Sequence, residues 1–341
     1  MKGLLTNSVD LQIRLFFHLM PLKSRKNLIL TLTAVVLSSA LIWICLQTSE
    51  YANSYKSIER FVKDKSSTVS FKTGIIIKGP NPRPKNIFLN KTIVSINSDR
   101  PFPAASLIKL PIMAAVYSAA AKGKLNLNSI YTLKNSDKTG GSGRLKAMPK
   151  GKKFTLRQLI QLMVSDSDNT AANILIKKLG FKYLNRFFKK EGLKNTKINR
   201  YVLDLSSREK GIENYISAKD TAFILEEIYR GRMVDKKSSE EMMSNLLKQK
   251  VKDRICRYLP KNVETAHKTG TIKGIVHDCG IIFIPSEKAS GKVKEHGSLT
   301  GFIDKRPLLI CCLTEGAKTY EQAKKFIAKL SEIIYYFWRY K

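Results

Sequence analysis

The chain has 341 residues, 61 basic against 27 acidic, and a formal charge of +34. A hydrophobic content of 43% supports a buried core and excludes general disorder, while 19 Gly and 11 Pro exclude collagen-like and low-complexity chains. The charge calls for anionic surroundings: nucleic acid, a membrane surface or an acidic polymer. Lys outnumbers Arg 45 to 16. Nucleic-acid readers favour Arg for bidentate base contacts, so no nucleic-acid partner is expected.

Residues 1–27 form a basic segment, with Lys2, Arg14, Lys23, Arg25 and Lys26 against Asp10. Leu28 to Leu46 then runs for 19 residues without a charge, about the length that crosses a hydrocarbon core. The flanking charges predict a cytoplasmic N-terminus, an uncleaved single-pass signal anchor over 28–46 and an extracytoplasmic remainder. Residues 1–46 hold five bases and one acid, so the rest keeps 56 basic against 26 acidic residues, or +30. Anionic wall polymers or lipid head groups are the expected partners of that excess, and membrane contact is expected through 28–46. Residues 47–66 read as a polar tether entering a first helix from Tyr55 to Lys65.

Residues 67–341 read as one domain. Thr68 to Lys78 and Lys91 to Ser98 are rich in β-branched residues and predict a hairpin whose long connection is broken by Gly-Pro-Asn-Pro at 79–82. Ala105 to Lys122 is Ala-rich and predicts a helix stopped by Gly123. Thr155 and Gln158 form a capping-box pattern, with Leu156, Leu159, Ile160 and Met163 as the apolar face behind it. Helices are predicted over Asn169 to Lys178, stopped near Gly180, and around Lys219 to Tyr229 and Ser239 to Lys248. Phe187 and Phe188 read as core aromatics at a helix end. Val263 to Thr271, Ile275 to Ile284 and Arg306 to Leu313 read as antiparallel strands, and Tyr320 to Arg339 as an amphipathic closing helix packed on the sheet. A hairpin, a helical block, three strands and a final helix predict an α+β fold: an antiparallel β-sheet flanked by N- and C-terminal helices, with a helical subdomain.

Five cysteines are present, and no C-x-x-C pair points to zinc. Cys311 and Cys312 are adjacent in a strand and therefore face opposite sides. Buried, unpaired thiols are expected. His277 and Asp278 are likewise strand neighbours, which excludes a Ser-His-Asp triad built from them. His277 or Lys273 is a candidate for binding a substrate carboxylate beside the strand.

Ser106-Leu107-Ile108-Lys109 opens the Ala-rich helix, and i,i+3 spacing puts the hydroxyl and the ammonium on one face. A serine needs an adjacent base to become a nucleophile, and Lys109 can serve if its pKa is lowered. Ser167-Asp168-Asn169 follows between two helices, and Lys268-Thr269-Gly270 lies on a strand. In this order the three elements resemble the serine β-lactamase and penicillin-binding protein superfamily. The stretches SDSDNTAANILI (165–176) and AHKTGTIKG (266–274) are similar to class A β-lactamases, and GGSGRL (140–145) to related serine hydrolases.

The resemblance covers residues 67–341 and implies a β-lactamase/transpeptidase-like fold with no metal or organic cofactor. It implies that Ser106 attacks an amide carbonyl and that Lys109 helps remove its proton. Ser167 then relays a proton to the leaving nitrogen, supported by Lys268. Asn169 would position Lys109 and the substrate amide, and Lys268 and Thr269 would face a substrate carboxylate. Gly270 would allow close approach along the strand, and the backbone N–H groups of Ser106 and Thr271 would form the oxyanion hole. Class A β-lactamases also carry a Glu-x-x-x-Asn element after the S-D-N motif. Here the comparable stretch, 203–220, offers Glu209 and Glu213, but Lys210 stands four residues before Asn214. The expected function is β-lactam hydrolysis. The alternatives are a D,D-carboxypeptidase-like or penicillin-binding enzyme acting on peptidoglycan stem peptides, and a non-catalytic wall-binding module.

Overall fold

The computed structural model describes residues 21–79, 91–285 and 305–340. The chain divides into two units, Met1–Ser57 and Ile58–Lys341. Helix α1 (Leu22–Ser67) continues through the stretch read as a tether, which contains no Gly or Pro to break it. Most side chains of the 28–46 segment, and residues 1–20, lie outside the described residues. Among the described residues, no helix is long and apolar enough to cross a membrane.

In the second unit, strands β1 (Lys72–Gly79) and β2 (Lys91–Ile96) form the expected hairpin, whose 80–90 connection lies outside the described residues. β7 (Thr265–Ile272), β8 (Ile275–Pro285) and β9 (Lys305–Glu315) complete an antiparallel sheet in the order β2-β1-β9-β8-β7. β9 pairs with both β1 and β8, so the early hairpin and the late strands share one sheet. Lys273 and Gly274 make the two-residue turn between β7 and β8, and Gly274 takes a left-handed φ of +77°, which glycine adopts without steric cost. β7 is therefore an edge strand, and the backbone groups on its outer side do not face β8.

The strand interiors read as long apolar runs because both faces of the sheet are covered. One face carries α8 (Tyr320–Arg339), which buries Ile327, Ile334, Tyr335 and Trp338. The other face carries a helical layer, with α6 (Ala218–Tyr229) lying across β8 and β9. At the centre of this layer, α2 (Lys109–Ala121) is apolar on all sides and buried from Lys109 to Ala119. Pro111 is tolerated there because first-turn N–H groups have no partner within the helix. α3 (Leu156–Ser165), α4 (Asn169–Lys190) and α7 (Lys236–Leu247) pack around it. α4 bends at Gly180 (φ +75°, ψ 153°), where the sequence placed a stop, and resumes to bury Phe187 and Phe188.

Short elements escaped the pattern reading. β3 (Phe102–Pro103) pairs with β6 (Tyr215–Ile216), and β4 (Ile130–Thr132) pairs with β5 (Lys153–Thr155). α5 (Leu205–Glu209) is a single turn. Two- and three-residue strands are too short for any periodicity to show. The capping box is formed, with Gln158 N donating to Thr155 Oγ1 at 3.1 Å and Thr155 N to Gln158 Oε1 at 2.8 Å. Replacing Thr155 with Ala should lower unfolding free energy by about 1 kcal/mol, measured by urea titration.

Candidate active site

Ser106 sits in a 3₁₀ turn, Ala105–Ile108, that runs directly into α2. Two contacts fix the chain entering this turn: Ala104 N donates to Asn214 O at 2.7 Å, and His277 Nε2 lies 2.9 Å from Pro103 O. Ala105 is held at a left-handed φ of +44°. Such strain costs about 1–3 kcal/mol and persists only where the surroundings impose it. Ser167 (φ +53°) and Leu203 (φ +63°) share the feature and also face the site.

The Lys109 side chain is completely buried and points back along its helix. Its Nζ is 3.2 Å from Ser106 Oγ and 3.2 Å from Ser167 Oγ, and donates to Ser167 O at 2.6 Å and Asn169 Oδ1 at 2.7 Å. Among the described residues, no carboxylate bonds to it directly. Burial, reinforced by the nearby Lys268 charge and only partly opposed by Asp168, holds its pKa well below the ordinary lysine value. The amine can therefore take up a proton from Ser106.

Ser167 is bonded from a second side, since Lys268 Nζ donates to its Oγ at 3.0 Å. With two amines occupying the lone pairs of this oxygen, its own proton is directed elsewhere. Asp168 caps α4 by accepting from Ala171 N at 3.0 Å, and its other oxygen accepts from Leu145 N at 2.8 Å. Asn169 donates to Gly140 O at 2.9 Å through its side chain and to Ser142 O at 3.1 Å through its backbone. The GGSGRL stretch thus wraps the Ser-Asp-Asn turn. Gly143, at φ +104°, has no room for a side chain, because a Cβ there would lie 2.3 Å from the Asp168 carboxyl carbon.

β7 supplies Lys268, Thr269, Gly270 and Thr271 along its outer edge. A Cβ on Gly270 would stand 3.3 Å from Leu107 N and from Ala105 Cβ, so glycine lets the strand lie close against the Ser106 turn. Lys268 is fully buried, and burial, with the Arg254 charge beside it, lowers its pKa to about 7 despite Asp278. Arg254 was not foreseen in the sequence: it lies in the loop before β7 and has no motif. Its Nη2 donates to Thr271 Oγ1 at 2.6 Å and its Nη1 to His277 O at 2.9 Å.

A cavity of about 180 Å³ opens over Ser106, bounded by Asn169, Thr271, Arg200, Asn214, Val202 and Leu203. The wall opposite the serine is the loop 198–214, closed at its neck by reciprocal backbone bonds between Lys197 and Tyr215 of 3.0 and 2.9 Å. Neither glutamate considered for this wall lines the cavity. Glu213 is buried in ion pairs with Arg200 and with Arg208 Nε, the latter at 3.0 Å. Glu209 ends α5 as an exposed residue. Val202 occupies the wall instead, its backbone pinned by Asn173, which accepts from Val202 N at 2.8 Å and donates to Val202 O at 3.1 Å. His277 is also not a substrate ligand, since it is fully buried, with Thr314 N donating to its Nδ1 at 3.1 Å. Burial drives its pKa down to about 4, so it remains neutral.

A helical layer on an antiparallel sheet, with a serine served by a buried lysine, defines an active-site serine hydrolase. A family model described as the Beta-lactamase enzyme family matches residues 86–293, and the chain belongs to that family. It is 27% identical to β-lactamase VEB-1 of Pseudomonas aeruginosa over 278 residues, covering 74% of this chain and 85% of the relative. It is 25% identical to the extended-spectrum β-lactamase PER-1 of the same organism over 323 residues, covering 89% and 94%. Among solved structures, a β-lactamase from Sphaerobacter thermophilus superposes with a TM-score of 0.67 at 26% identity, over 84% of this chain and 96% of the other. PBP-A superposes with a TM-score of 0.68 at 23% identity, over 85% and 97%, a likeness of fold.

The lowered pKa of Lys268 has a consequence for stability. An unfolded lysine titrates near 10.5. Between about pH 7 and that value the unfolded chain binds the extra proton, so stability rises with pH in this window. The rise from pH 7 to 9 should be steeper in the native chain than in Lys268→Met, by on the order of 1 kcal/mol per pH unit. Urea midpoints at the two pH values check it, and equal slopes would show that Lys268 remains protonated in the fold.

Proposed function

We propose that this protein is an acyl-serine enzyme that opens β-lactam amides through a covalent intermediate on Ser106 and releases the acyl group slowly. The observation that carries the first part is the buried Lys109 amine, shared between Ser106, Ser167 and Asn169. In this reading neutral Lys109 accepts the Ser106 proton as Oγ attacks the carbonyl. The backbone N–H groups of Ser106 and Thr271 receive the developing oxyanion, and such a donor typically contributes about 10²–10³ in rate. The Ser167 proton passes to the leaving nitrogen and is replaced through the two lysines that flank it. Arg254 supplies positive charge and Thr269 a hydroxyl for a substrate carboxylate, and Lys268 adds a hydrogen-bond donor, charged below about pH 7.

The second part rests on the cavity wall. Releasing the acyl group requires a base that activates water near the ester, and the wall facing Ser106 presents Val202 and Leu203. This favours a D,D-peptidase-like enzyme acting on peptidoglycan stem peptides, with slow β-lactam turnover, over a fast β-lactamase. The uncharged 28–46 run supports a membrane anchor, and the basic excess supports residence near anionic wall polymers or head groups. The three amine and hydroxyl groups around Ser106 disfavour a purely binding module.

Incubation with a labelled penicillin should give a long-lived adduct on Ser106, located by peptide mass spectrometry. Absence of an adduct on folded protein, or its persistence in Ser106→Ala, would overturn the proposal. Lys109→Met should slow adduct formation by about 10²–10⁴, the usual contribution of a positioned base. Val202→Glu should shorten the adduct lifetime at least tenfold, because Asn173 holds that position against the cavity. An unchanged lifetime would show that the missing carboxylate does not limit release.

A further inference from the structure

Behind β7, on the side away from Lys268, lies a larger cavity of about 800 Å³, between α7 and the loop that leads into β7. Cys256, the half-buried cysteine, lines it, whereas Cys279, Cys311 and Cys312 are buried. The Cys256 Sγ is 3.5 Å from His267 Nε2, and His267 Nδ1 is 2.9 Å from Asp278 Oδ1. Asp278 is held in turn by Ile255 N, which donates to its Oδ2 at 3.1 Å. His267 and Asp278 are both completely buried. A thiol, an imidazole and a carboxylate are thus arranged in series, as in a nucleophile with its base and the group that orients the base. Burial alone would keep the ring uncharged, but the Asp278 carboxylate outweighs it and lifts His267 to about 9.

The surroundings specify the charge of what this thiol would meet. Lys248, Lys252, Arg257 and Lys261 line the same cavity, with Lys252 Nζ 3.4 Å from His267 Nε2. The one carboxylate in the lining, Glu264, is ion-paired with Lys305. Ser106, Lys109 and Ser167 do not border this space.

We propose that Cys256, with His267 as the ring that pairs with its thiolate and Asp278 as the orienting group, is a second reactive centre that takes small anionic disulfides by thiol–disulfide exchange. Cys256 Sγ attacks one sulfur of the disulfide, and the S–S bond breaks. A mixed disulfide forms on Cys256 and the other half leaves as a thiolate. The thiol proton leaves to solvent, and the charged His267 ring pairs with the thiolate left behind. The basic lining draws the anion in, an attraction that salt weakens.

The test uses the full chain carrying Cys45→Ser and, as probes, dithionitrobenzoate (a dianionic aryl disulfide) and neutral dithiodipyridine. The folded protein should release one equivalent of the aryl thiolate in a fast phase, and intact mass should show one mixed disulfide. Cys256→Ser should abolish that phase, and His267→Gln should slow it at least tenfold while its melting transition remains cooperative. Lys248→Ala with Lys261→Ala, both exposed positions of the lining, should slow the dianionic probe severalfold and leave the neutral one unchanged. A fast phase that survives Cys256→Ser, or that appears only in denaturant, overturns the proposal. Equal rates in the native and His267→Gln chains, or equal slowing of both probes by the lysine changes, do the same. Ser106 adduct formation is read separately and does not enter these outcomes.

Discussion

A buried lysine amine to which, among the described residues, no carboxylate is bonded is the constraint on which the rest of this site depends. An ammonium in such a place is costly, and the structure compensates with oxygen acceptors from two chain segments, the Ser106 turn and the Ser167–Asn169 turn. The Ser106 turn, the Ser167–Asn169 turn and α2 must therefore be in register before Lys109 is satisfied. The left-handed φ values of Ala105 and Ser167 are two positions where the backbone bends to reach that register. Much of the local architecture serves it. Gly143 and Gly141 lie against Asp168 and Asn169, where a side chain would not fit, and Asp168 anchors both a helix start and the wrapping loop.

Lys268 repeats the arrangement from the sheet side. It is fully buried and shares the Ser167 hydroxyl with Lys109, and its charge adds to burial in lowering the proton affinity of Lys109. Helical layer and sheet edge thus meet at one oxygen atom. A hydroxyl oxygen bonded by two amines leaves its own proton free of both.

The elements that carry this centre were readable from sequence because each has a local cause. The capping box at Thr155, the stop at Gly123, the break at Gly180 and the β-branched runs of the late strands all fall where their residues put them. The i,i+3 placement of Ser106 and Lys109 follows from backbone geometry alone. What escaped reading depends on contacts between distant segments. Arg254 reaches β7 from a loop with no pattern, and His267 meets Asp278 across the β7–β8 ladder. The sequence argument correctly set His277 and Asp278 on opposite faces, but register decides that His267 is the partner of Asp278. The role of Glu213 depended on where two arginines ended up, which spacing does not encode.

The wall facing Ser106 is held in an unusual manner: by amide side chains gripping the main chain. Asn173 binds both backbone groups of Val202, Asn185 those of Ile198, and Asn214 those of Arg200. Two of the gripping residues, Asn173 and Asn185, stand outside the loop and the cavity, while Asn214 both grips the chain and lines the cavity. Side chains on the wall can be exchanged without redrawing the backbone beneath them. The side chain at Val202 stands over a stretch of backbone that Asn173 holds from both its N–H and its carbonyl, so the frame beneath it does not depend on that side chain.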